Sequence, residues 1–254
     1  MFQLYRSLTV VFCLSVFSTP AFNLRAASIN VPNASFESPS TPPGFPAYPV
    51  VDSWQKFPQQ PGIPLPPGIT WDQLAGVFPN TPVGSADHID NMTGNQGAYM
   101  FNIPGVGLFQ DLSATYQAGN SYNLTVGILG GDQGMPEGSS LLLGLYYRDG
   151  ANNMVPIGSL PVTFTAAAFP NTTHFFDYQV QIPGVLGGDA WAGKGIGVEI
   201  VSTFGTGQGD WVLDNVRLDA VPEPSTVCLL GLGTAAFLFV HLRGRSRKAK
   251  ATVE

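Results

Sequence analysis

The strongest constraint on the fold is a series of short, β-rich apolar runs between Ser28 and Ala220. No long stretch shows apolar residues at intervals of three and four, as an amphipathic helix requires. Glycine, proline and asparagine clusters separate the runs, which is typical of turns. The runs are Gly97–Ile103, Val106–Leu112, Ser121–Leu129, Leu141–Arg148, Met154–Thr165, His174–Ile182, Ile196–Thr203 and Asp210–Leu218. We therefore predict an all-β, antiparallel β-sandwich of jelly-roll type.

Residues 39–67 differ from the runs because they are dense in proline. A linker is one interpretation, since proline-rich segments form extended spacers. Aromatic residues interleave with the prolines, namely Phe45, Tyr48, Trp54 and Phe57. A free linker does not need them, so we favour an ordered loop that packs on the sandwich.

The charge distribution excludes one class of partner. The chain has 11 Lys and Arg against 17 Asp and Glu, and a net charge of −6. Between Ser28 and Val221 the bases are Lys56, Arg148, Lys194 and Arg217. An acidic domain with so few bases offers no surface for nucleic acid, which is therefore not expected as a partner.

Both ends of the chain carry hydrophobic segments. Residues 1–27 have one early base, an apolar run and then small residues, which is the order of a secretory signal peptide. An uncleaved anchor is the alternative, but a run of about ten apolar residues spans only about 15 Å of a bilayer core of about 30 Å. Residues 226–242 are apolar over about 25 Å of helix, near the lower limit for a transmembrane helix. The basic tail after them should stay cytoplasmic, which places the domain outside the inner membrane.

Pro222-Glu223-Pro224 lies just before the apolar segment 226–242. This order of tripeptide, apolar helix and basic tail resembles the PEP-CTERM sorting signal, here residues 221–254. The resemblance implies processing by exosortase, after the export machinery has moved the protein across the inner membrane and signal peptidase has removed its signal peptide. It also implies a transient anchor in the inner membrane, followed by delivery to the cell surface or extracellular matrix. We expect the tripeptide to be extended and exposed, because proline cannot extend the helix backward.

Residues 28–220 form the predicted sandwich domain and contain three motifs of known families. These are Asn33-Ala34-Ser35-Phe36-Glu37, the run Tyr116–Ile128 and the run Trp211–Leu218. They resemble the galactose-binding-like jelly rolls of carbohydrate-binding modules. They also resemble the calcium-dependent hapalindole-type cyclases, which share that fold, whereas the proline-rich loop departs from the pattern.

Asp214 is the main candidate for chemistry. In a regular strand it shares a face with Val212 and Val216, while Leu213 points the other way. A carboxylate among apolar side chains needs hydrogen bonds, a base or a metal, because burying it unpaired is costly. The resemblance implies a structural calcium ion at Glu37, with Asp214 as a second ligand; a hydrogen-bonded structural Asp214 is the alternative. In the cyclase relatives an acid in this region donates a proton, and Asp214 would inherit that role.

A carbohydrate ligand would need aromatic faces with polar groups beside them. Aromatic residues close to predicted turns are candidates, namely Trp54, Trp71, Tyr99 and Trp191, with Asn95 and Gln96 as hydrogen-bonding groups. The competing interpretation is that the tryptophans pack in the core or under loops.

Taken together, the sequence favours an exported, C-terminally sorted bacterial surface or matrix protein. We expect it to be non-catalytic, with extracellular polysaccharide as its candidate ligand. The alternatives are a calcium-dependent, cyclase-like enzyme that uses Asp214 as the acid, and a purely structural envelope protein.

Overall fold

The computed structural model describes residues 25–223, which form a sandwich of two antiparallel sheets. The strands are β1 (Ala27–Ile29), β2 (Gln55–Lys56), β3 (Ala75–Pro79), β4 (Gln96–Phe101), β5 (Gly107–Thr115), β6 (Asn120–Leu129), β7 (Ser140–Arg148), β8 (Met154–Thr163), β9 (Phe176–Ile182), β10 (Gly195–Phe204) and β11 (Asp210–Pro222). Two short 3₁₀ turns occur at Trp71–Leu74 and Asp132–Gly134. The fold is therefore all-β, as predicted.

The first sheet has the order β3-β4-β11-β6-β9, with β1 beside the end of β11, and the second has the order β2-β5-β10-β7-β8. Each of the eight predicted runs corresponds to one strand, from β4 to β11. The short strands β1, β2 and β3 were not predicted. Since β11 pairs with β6 on one side and with β4 and then β1 on the other, it is the central strand of the first sheet.

The membrane segments predicted at the two ends lie almost wholly outside the described residues. The sequence-predicted signal peptide overlaps them only at residues 25–27, and the predicted helix 226–242 does not overlap them. Between residues 25 and 223, the longest helical element is far too short to cross a bilayer.

The hydrophobic core lies between the two sheets, because alternate residues of each strand point inward. Trp211 and Leu213 reach it from β11, and Leu143 and Ile200 reach it from the second sheet; all four are fully buried. A smaller cluster lies on the opposite, outer face of the first sheet. It consists of Ile89, Leu129, Phe175 and Val212, with Phe78 and Met92 packed against it. Loops therefore cover part of that outer face.

A β-bulge in β11 changes which side chains share a face of the sheet with Asp214. The pairing of β11 with β6 shifts register between Asp214 and Arg217, and Asn215 has a left-handed φ of 54°. A bulge adds one residue to a strand, so side chains beyond it exchange faces. Val216 consequently lies in the main core with Leu213, whereas Asp214 lies on the outer face. The prediction that Asp214 and Val216 share a face is wrong.

The proline-rich segment 39–67 is tied to both sheets, because Tyr48 bridges β3 of the first sheet and β2, which lies within the segment, pairs with β5 of the second. Tyr48 forms an isolated antiparallel bridge with Val77, with N···O distances of 2.8 and 2.9 Å. Lys56 donates to the carbonyls of Pro49 and Asp72. These are the contacts of an ordered loop rather than of a free linker.

Candidate functional site

A cavity of about 400 Å³ opens on the outer face of the first sheet, at the end where β11 begins. Its walls come from the proline-rich loop, the first 3₁₀ turn, β3, β4, the loop after β6 and β11. The lining residues are Pro46, Ala47, Gln73, Phe78, Tyr99, Phe101, Gln133, Asp210 and Val212. The volume is within the range of roughly 300–1,000 Å³ that is usual for small-molecule sites.

Period-two alternation places an acid next to two aromatic rings in this cavity. Val212 pairs with Tyr99 and Asp210 pairs with Phe101, so all four side chains share the outer face. The rings of Tyr99 and Phe101 meet edge to face, with centroids 6.2 Å apart. Among the lining residues that the structure describes, Asp210 is the one carboxylic acid, and it is 8% exposed. The arrangement is a largely apolar pocket with one buried acid.

Gln133 holds the carboxyl group of Asp210. Its Nε2 donates to Oδ2 of Asp210 at 3.1 Å. Gln133 itself has left-handed backbone angles, φ 51° and ψ 32°, a conformation that non-glycine residues adopt rarely. Such angles cluster at ligand sites, where the surrounding structure compensates for the strain. The loop after β6 is therefore shaped to present Gln133 to Asp210.

The hydroxyl of Tyr99 is also held in place, since it donates to the carbonyl of Gln73 at 3.1 Å. Burial, together with the nearby Asp210, raises the pKa of Tyr99 to about 12. The phenol is consequently neutral at physiological pH and presents a fixed ring face to the cavity.

Glu37 and Asp214 form a second acidic site under the loop between β3 and β4. Asp214 is fully buried, and its two carboxylate oxygens accept the N–H groups of Thr93 and Asn215 at 2.5 and 2.6 Å. Oε1 of Glu37 accepts the N–H groups of Asn95 and Gln96 at 2.9 and 3.0 Å.

Burial raises the pKa of Asp214 to about 7, and the charge of Glu37 contributes in the same direction. Gly94 makes room for Glu37, because a Cβ built at Gly94 would lie 2.4 Å from Oε1. The structure thus brings together the two predicted calcium ligands. In residues 25–223, no cluster of three or more His, Cys, Asp or Glu side chains has metal-binding geometry, so further ligands would be backbone oxygens or water.

The four predicted aromatic ligand residues do not share one surface. Tyr99 lines the cavity. Trp54 is 6% exposed and lies in the core, where its Nε1 donates to the carbonyl of Asn33. Trp71 donates to the carbonyl of Phe57 and so fastens the proline-rich loop. Trp191 packs on Tyr116, at the opposite end of the sandwich from Asp210.

Comparison with known families decides between the two resemblances of the domain. Residues 27–219 match the family model described as HpiC1 cyclase. The chain belongs to the HpiC1-like cyclase family. None of the curated proteins matches it. In addition, residues 220–247 match the PEP-CTERM protein-sorting motif, so the predicted sorting signal is confirmed and implies export and processing by exosortase.

Solved cyclase structures share the fold of this HpiC1-like domain. A Stig cyclase from Fischerella sp. TAU, in complex with (3Z)-3-(1-methyl-2-pyrrolidinylidene)-3H-indole, is 25% identical with a TM-score of 0.59. The match covers 79% of this chain and 100% of that one. A cyclase from the same organism, in complex with 4-(1H-indol-3-yl)butan-2-one, is 25% identical with a TM-score of 0.56 and the same coverage. A xylan-binding domain from Paenibacillus barcinonensis is 11% identical, with a TM-score of 0.41 over 68% of this chain and 88% of that one.

The expectation of a non-catalytic protein is wrong. The family to which the domain belongs is one of cyclases, and solved cyclases with bound ligands share its fold. The prediction failed because the three sequence motifs, at residues 33–37, 116–128 and 211–218, belong to the jelly roll itself. Binding modules and enzymes have that fold in common. What distinguishes an enzyme is the set of side chains in the cavity, and here strand residues of β3, β4 and β11 combine with four residues from loops and 3₁₀ turns, Pro46, Ala47, Gln73 and Gln133.

Sequence reasoning missed Asp210 and Gln133. Asp210 follows the Gly-rich loop 205–209 and is four residues from Asp214, hence on the same strand face in a regular strand. That alternation was a usable signal for an acid at the end of the strand, where ligands gather. Gln133 had no such signal, because its role depends on a left-handed turn.

Proposed function

We propose that this domain is an exported cyclase in which Asp210 is the catalytic acid. The observation that carries the proposal is the buried Asp210, fixed by Gln133, in an apolar cavity beside the rings of Tyr99 and Phe101. Membership of a cyclase family supports it. The proline-rich loop closes one side of the cavity and limits the access of water to the reacting atoms.

The chemistry that fits this arrangement is an acid-initiated ring closure. Asp210 donates its proton to a carbon–carbon double bond, whose electron pair forms the new C–H bond and leaves a carbocation. A second double bond of the substrate attacks that cation and closes the ring. The Asp210 carboxylate then recovers a proton from a carbon next to the final cation, so the reaction is an isomerisation. The faces of Tyr99 and Phe101 stabilise the cations through cation–π attraction.

Asp210 is a better candidate for the acid than Asp214. Asp214 does not line the cavity, and the N–H groups of Thr93 and Asn215 occupy its oxygens. Burial raises the pKa of Asp214 to about 7, but with both oxygens engaged and no cavity in front of them its proton has no path to a substrate, and two fixed carboxylate oxygens suit a metal ligand. We therefore assign the acid to Asp210 and a structural role to Asp214.

The proposed substrate class is a planar, apolar molecule with an unsaturated side chain. The rings of Phe78, Tyr99 and Phe101 provide flat walls of the cavity. The ligands bound in the two Fischerella cyclases are indoles, which supports an indole-bearing substrate here. A sugar would need several more polar partners than the described wall offers.

A binding experiment with a defined probe tests this proposal. The mature protein is titrated with 4-(1H-indol-3-yl)butan-2-one by calorimetry, in parallel with the variants Tyr99→Ala and Asp87→Asn. We expect binding to the wild type and to Asp87→Asn, an exposed control, and loss of binding in Tyr99→Ala. A wild type that binds xylo-oligosaccharide but not the indole would overturn the proposed substrate class.

Turnover tests the acid separately. Indole-bearing dienes of about the size of the probe are screened by chromatography with mass spectrometry, since an isomerisation changes the retention time of the compound but not its mass. Asp210→Asn keeps the shape of the side chain and its contact with Gln133, yet removes the transferable proton. We expect a loss of at least about a hundredfold in rate with binding retained. An equal rate in Asp210→Asn would refute its role.

We also propose that Glu37 and Asp214 bind a structural calcium ion. Calcium prefers carboxylate and carbonyl oxygens, and the cation would offset the repulsion between two carboxylates that share a buried site. The space that Gly94 leaves for Glu37 supports this assignment. When bound, the ion would cross-link the β3–β4 loop to β11 and to the segment after β1. It would take no part in the proton transfer.

A further inference from the structure

The sorting tripeptide is partly built into the folded domain. Strand β11 runs to Pro222, which pairs with Asn120 at the start of β6. The N–H of Glu223 donates to the carbonyl of Gly119 at 2.8 Å. Pro222 is extended, as expected, but it is half-buried rather than exposed, because the last strand of the sandwich continues into it. Glu223 is exposed, as expected, although its N–H is held by the domain.

The side chain of Glu223 lies against a second segment. A Cβ built at Gly184 would lie 2.1 Å from Oε2 of Glu223 and 2.3 Å from its Cδ. Glycine at position 184 thus leaves the space that the carboxylate occupies. The next residue, Val185, exchanges backbone hydrogen bonds with Gly119 and Asn120, both at 2.9 Å. Three segments, 119–121, 184–185 and 221–223, form one small patch, which we call the motif dock.

We propose that the motif dock controls exosortase processing, because the enzyme can bind the tripeptide only after residues 221–223 detach from the domain. This inference rests on the processing by exosortase that the PEP-CTERM motif implies. The spacing supports it: two residues separate Glu223 from the predicted helix at Thr226, a reach of about 10 Å. When the helix is in the membrane, this short reach places the folded domain at the membrane surface. The domain then covers one side of the tripeptide.

Detachment requires only local opening. The hydrogen bond from Glu223 and the end of the β11–β6 pairing must break, while the rest of β11 remains in the sheet. Strand ends open at far lower free energy than the whole domain. The rate of processing then depends on the fraction of molecules in which the dock is open, and changes of the dock should alter that rate without altering the pocket around Asp210.

Two variants change the dock in opposite directions. In Gly184→Ala the new methyl group displaces the Glu223 carboxylate, and the backbone at 184 needs no left-handed angle. Gly187→Ala is the matched control, since a Cβ there meets nothing within 4 Å. For the opposite change, Ser121 and Val221 are register partners. Antiparallel partners lie at Cα distances that a disulfide can bridge, so Ser121→Cys with Val221→Cys locks the dock in a Cys228→Ser background.

The full chain and its variants are produced in the native cells, and pulse–chase labelling followed by mass spectrometry of the C-terminus measures the processed fraction. We expect Gly184→Ala to be processed about two- to tenfold faster than the wild type, as loss of one modest contact would give. Gly187→Ala should match the wild type. The double cysteine variant should be processed more slowly, and a reductant should restore its rate.

The outcomes separate the two proposals. Equal processing rates in the wild type, Gly184→Ala and the oxidised double cysteine variant would overturn the role of the dock while leaving sorting intact. A wild type that keeps its C-terminus through Glu254 would overturn sorting itself, and the dock with it. If Gly184→Ala has a lower melting temperature than Gly187→Ala, the locked variant decides the question alone, because its effect is reversed by reductant.

Discussion

Gly76 is the position where the structure makes its sharpest prediction about the cavity. Gly76 lies in β3, directly under the proline-rich loop. A Cβ built there would lie 2.2 Å from the carbonyl oxygen of Tyr48, 2.7 Å from Cα of Pro49 and 2.8 Å from Cε1 of Tyr99. Two of these neighbours are backbone atoms, which cannot rotate away. Gly76→Ala must therefore move the loop by about 1 Å, since carbon and oxygen atoms need roughly 3.3–3.6 Å.

The size of the effect follows from the contacts that this movement strains. The bridge between Tyr48 and Val77 has two hydrogen bonds, at 2.8 and 2.9 Å. Each is worth about 0.5–1.5 kcal/mol, so their loss lowers the free energy of unfolding by about 1–3 kcal/mol. For a domain of this size that corresponds to a fall of about 2–12 °C in melting temperature.

Thermal unfolding and titration with 4-(1H-indol-3-yl)butan-2-one measure the two consequences of Gly76→Ala. We expect the lower melting temperature and, because the methyl group also presses on Tyr99, weaker binding of the probe. Gly150→Ala is the control, since a Cβ at Gly150 meets nothing within 4 Å and the residue lies in the turn after β7 of the other sheet. Unchanged stability and binding in Gly76→Ala would refute the placement of the loop over the cavity.

Three further predictions concern the bulge, the phenol and the metal. Asn215→Ala should destabilise the protein by about 1–2 kcal/mol relative to Asn215→Gly in urea unfolding, because φ is 54° there; equal stabilities would contradict the bulge. The pKa of Tyr99 is raised from 10.0 to about 12, so its contribution to stability is present below pH 10 and lost as the pH rises to about 12. Between pH 10 and 12 the free energy of unfolding should therefore fall less in Tyr99→Phe than in the wild type. An equal fall in both proteins would show that other groups cause it. EDTA should lower the melting temperature of the wild type but not of Glu37→Gln, since an ion that binds only the folded state stabilises it; no shift together with no calcium by elemental analysis would remove the site.

The sequence was sufficient for the fold class and for the eight longer strands, because these depend on local patterns, but not for β1, β2 and β3. Alternation and turn residues located β4 to β11, including the central strand that begins at Asp210. Alternation fails where the backbone departs from regular geometry, as it does at Asn215. One left-handed residue there exchanges the faces of everything that follows it in β11. Asparagine is tolerated in that conformation, but its presence in a strand does not by itself require a bulge.

The site could be predicted only in part, since it depends on long-range contacts. The pair of Glu37 and Asp214 was found through a family motif. The cavity instead joins Pro46, Gln73, Tyr99, Gln133 and Asp210, which are spread over more than half of the domain. The sequence shows neither that the proline-rich loop crosses β3 at Gly76 nor that the loop after β6 turns back toward β11. Tyr99 was chosen with three tryptophans because all four are aromatic and near turns, and that criterion cannot separate a wall of the cavity from a core residue such as Trp54.

Strand β11 joins the proposed catalytic acid to the sorting motif, because Asp210 and Pro222 lie at its two ends. Asp210 is its first residue and Pro222 its last, and at about 3.3 Å per residue the strand is about 40 Å long. The cavity is at one end of the sandwich, while the motif dock is at the other, beside β1 and the start of the described chain. A protein anchored through its C-terminus would therefore hold the cavity away from the membrane and take its substrate from the aqueous side. Turnover should then be equal before and after removal of the C-terminal segment, and a rate that rises several-fold on release would show that the anchored domain lies with its cavity against the membrane.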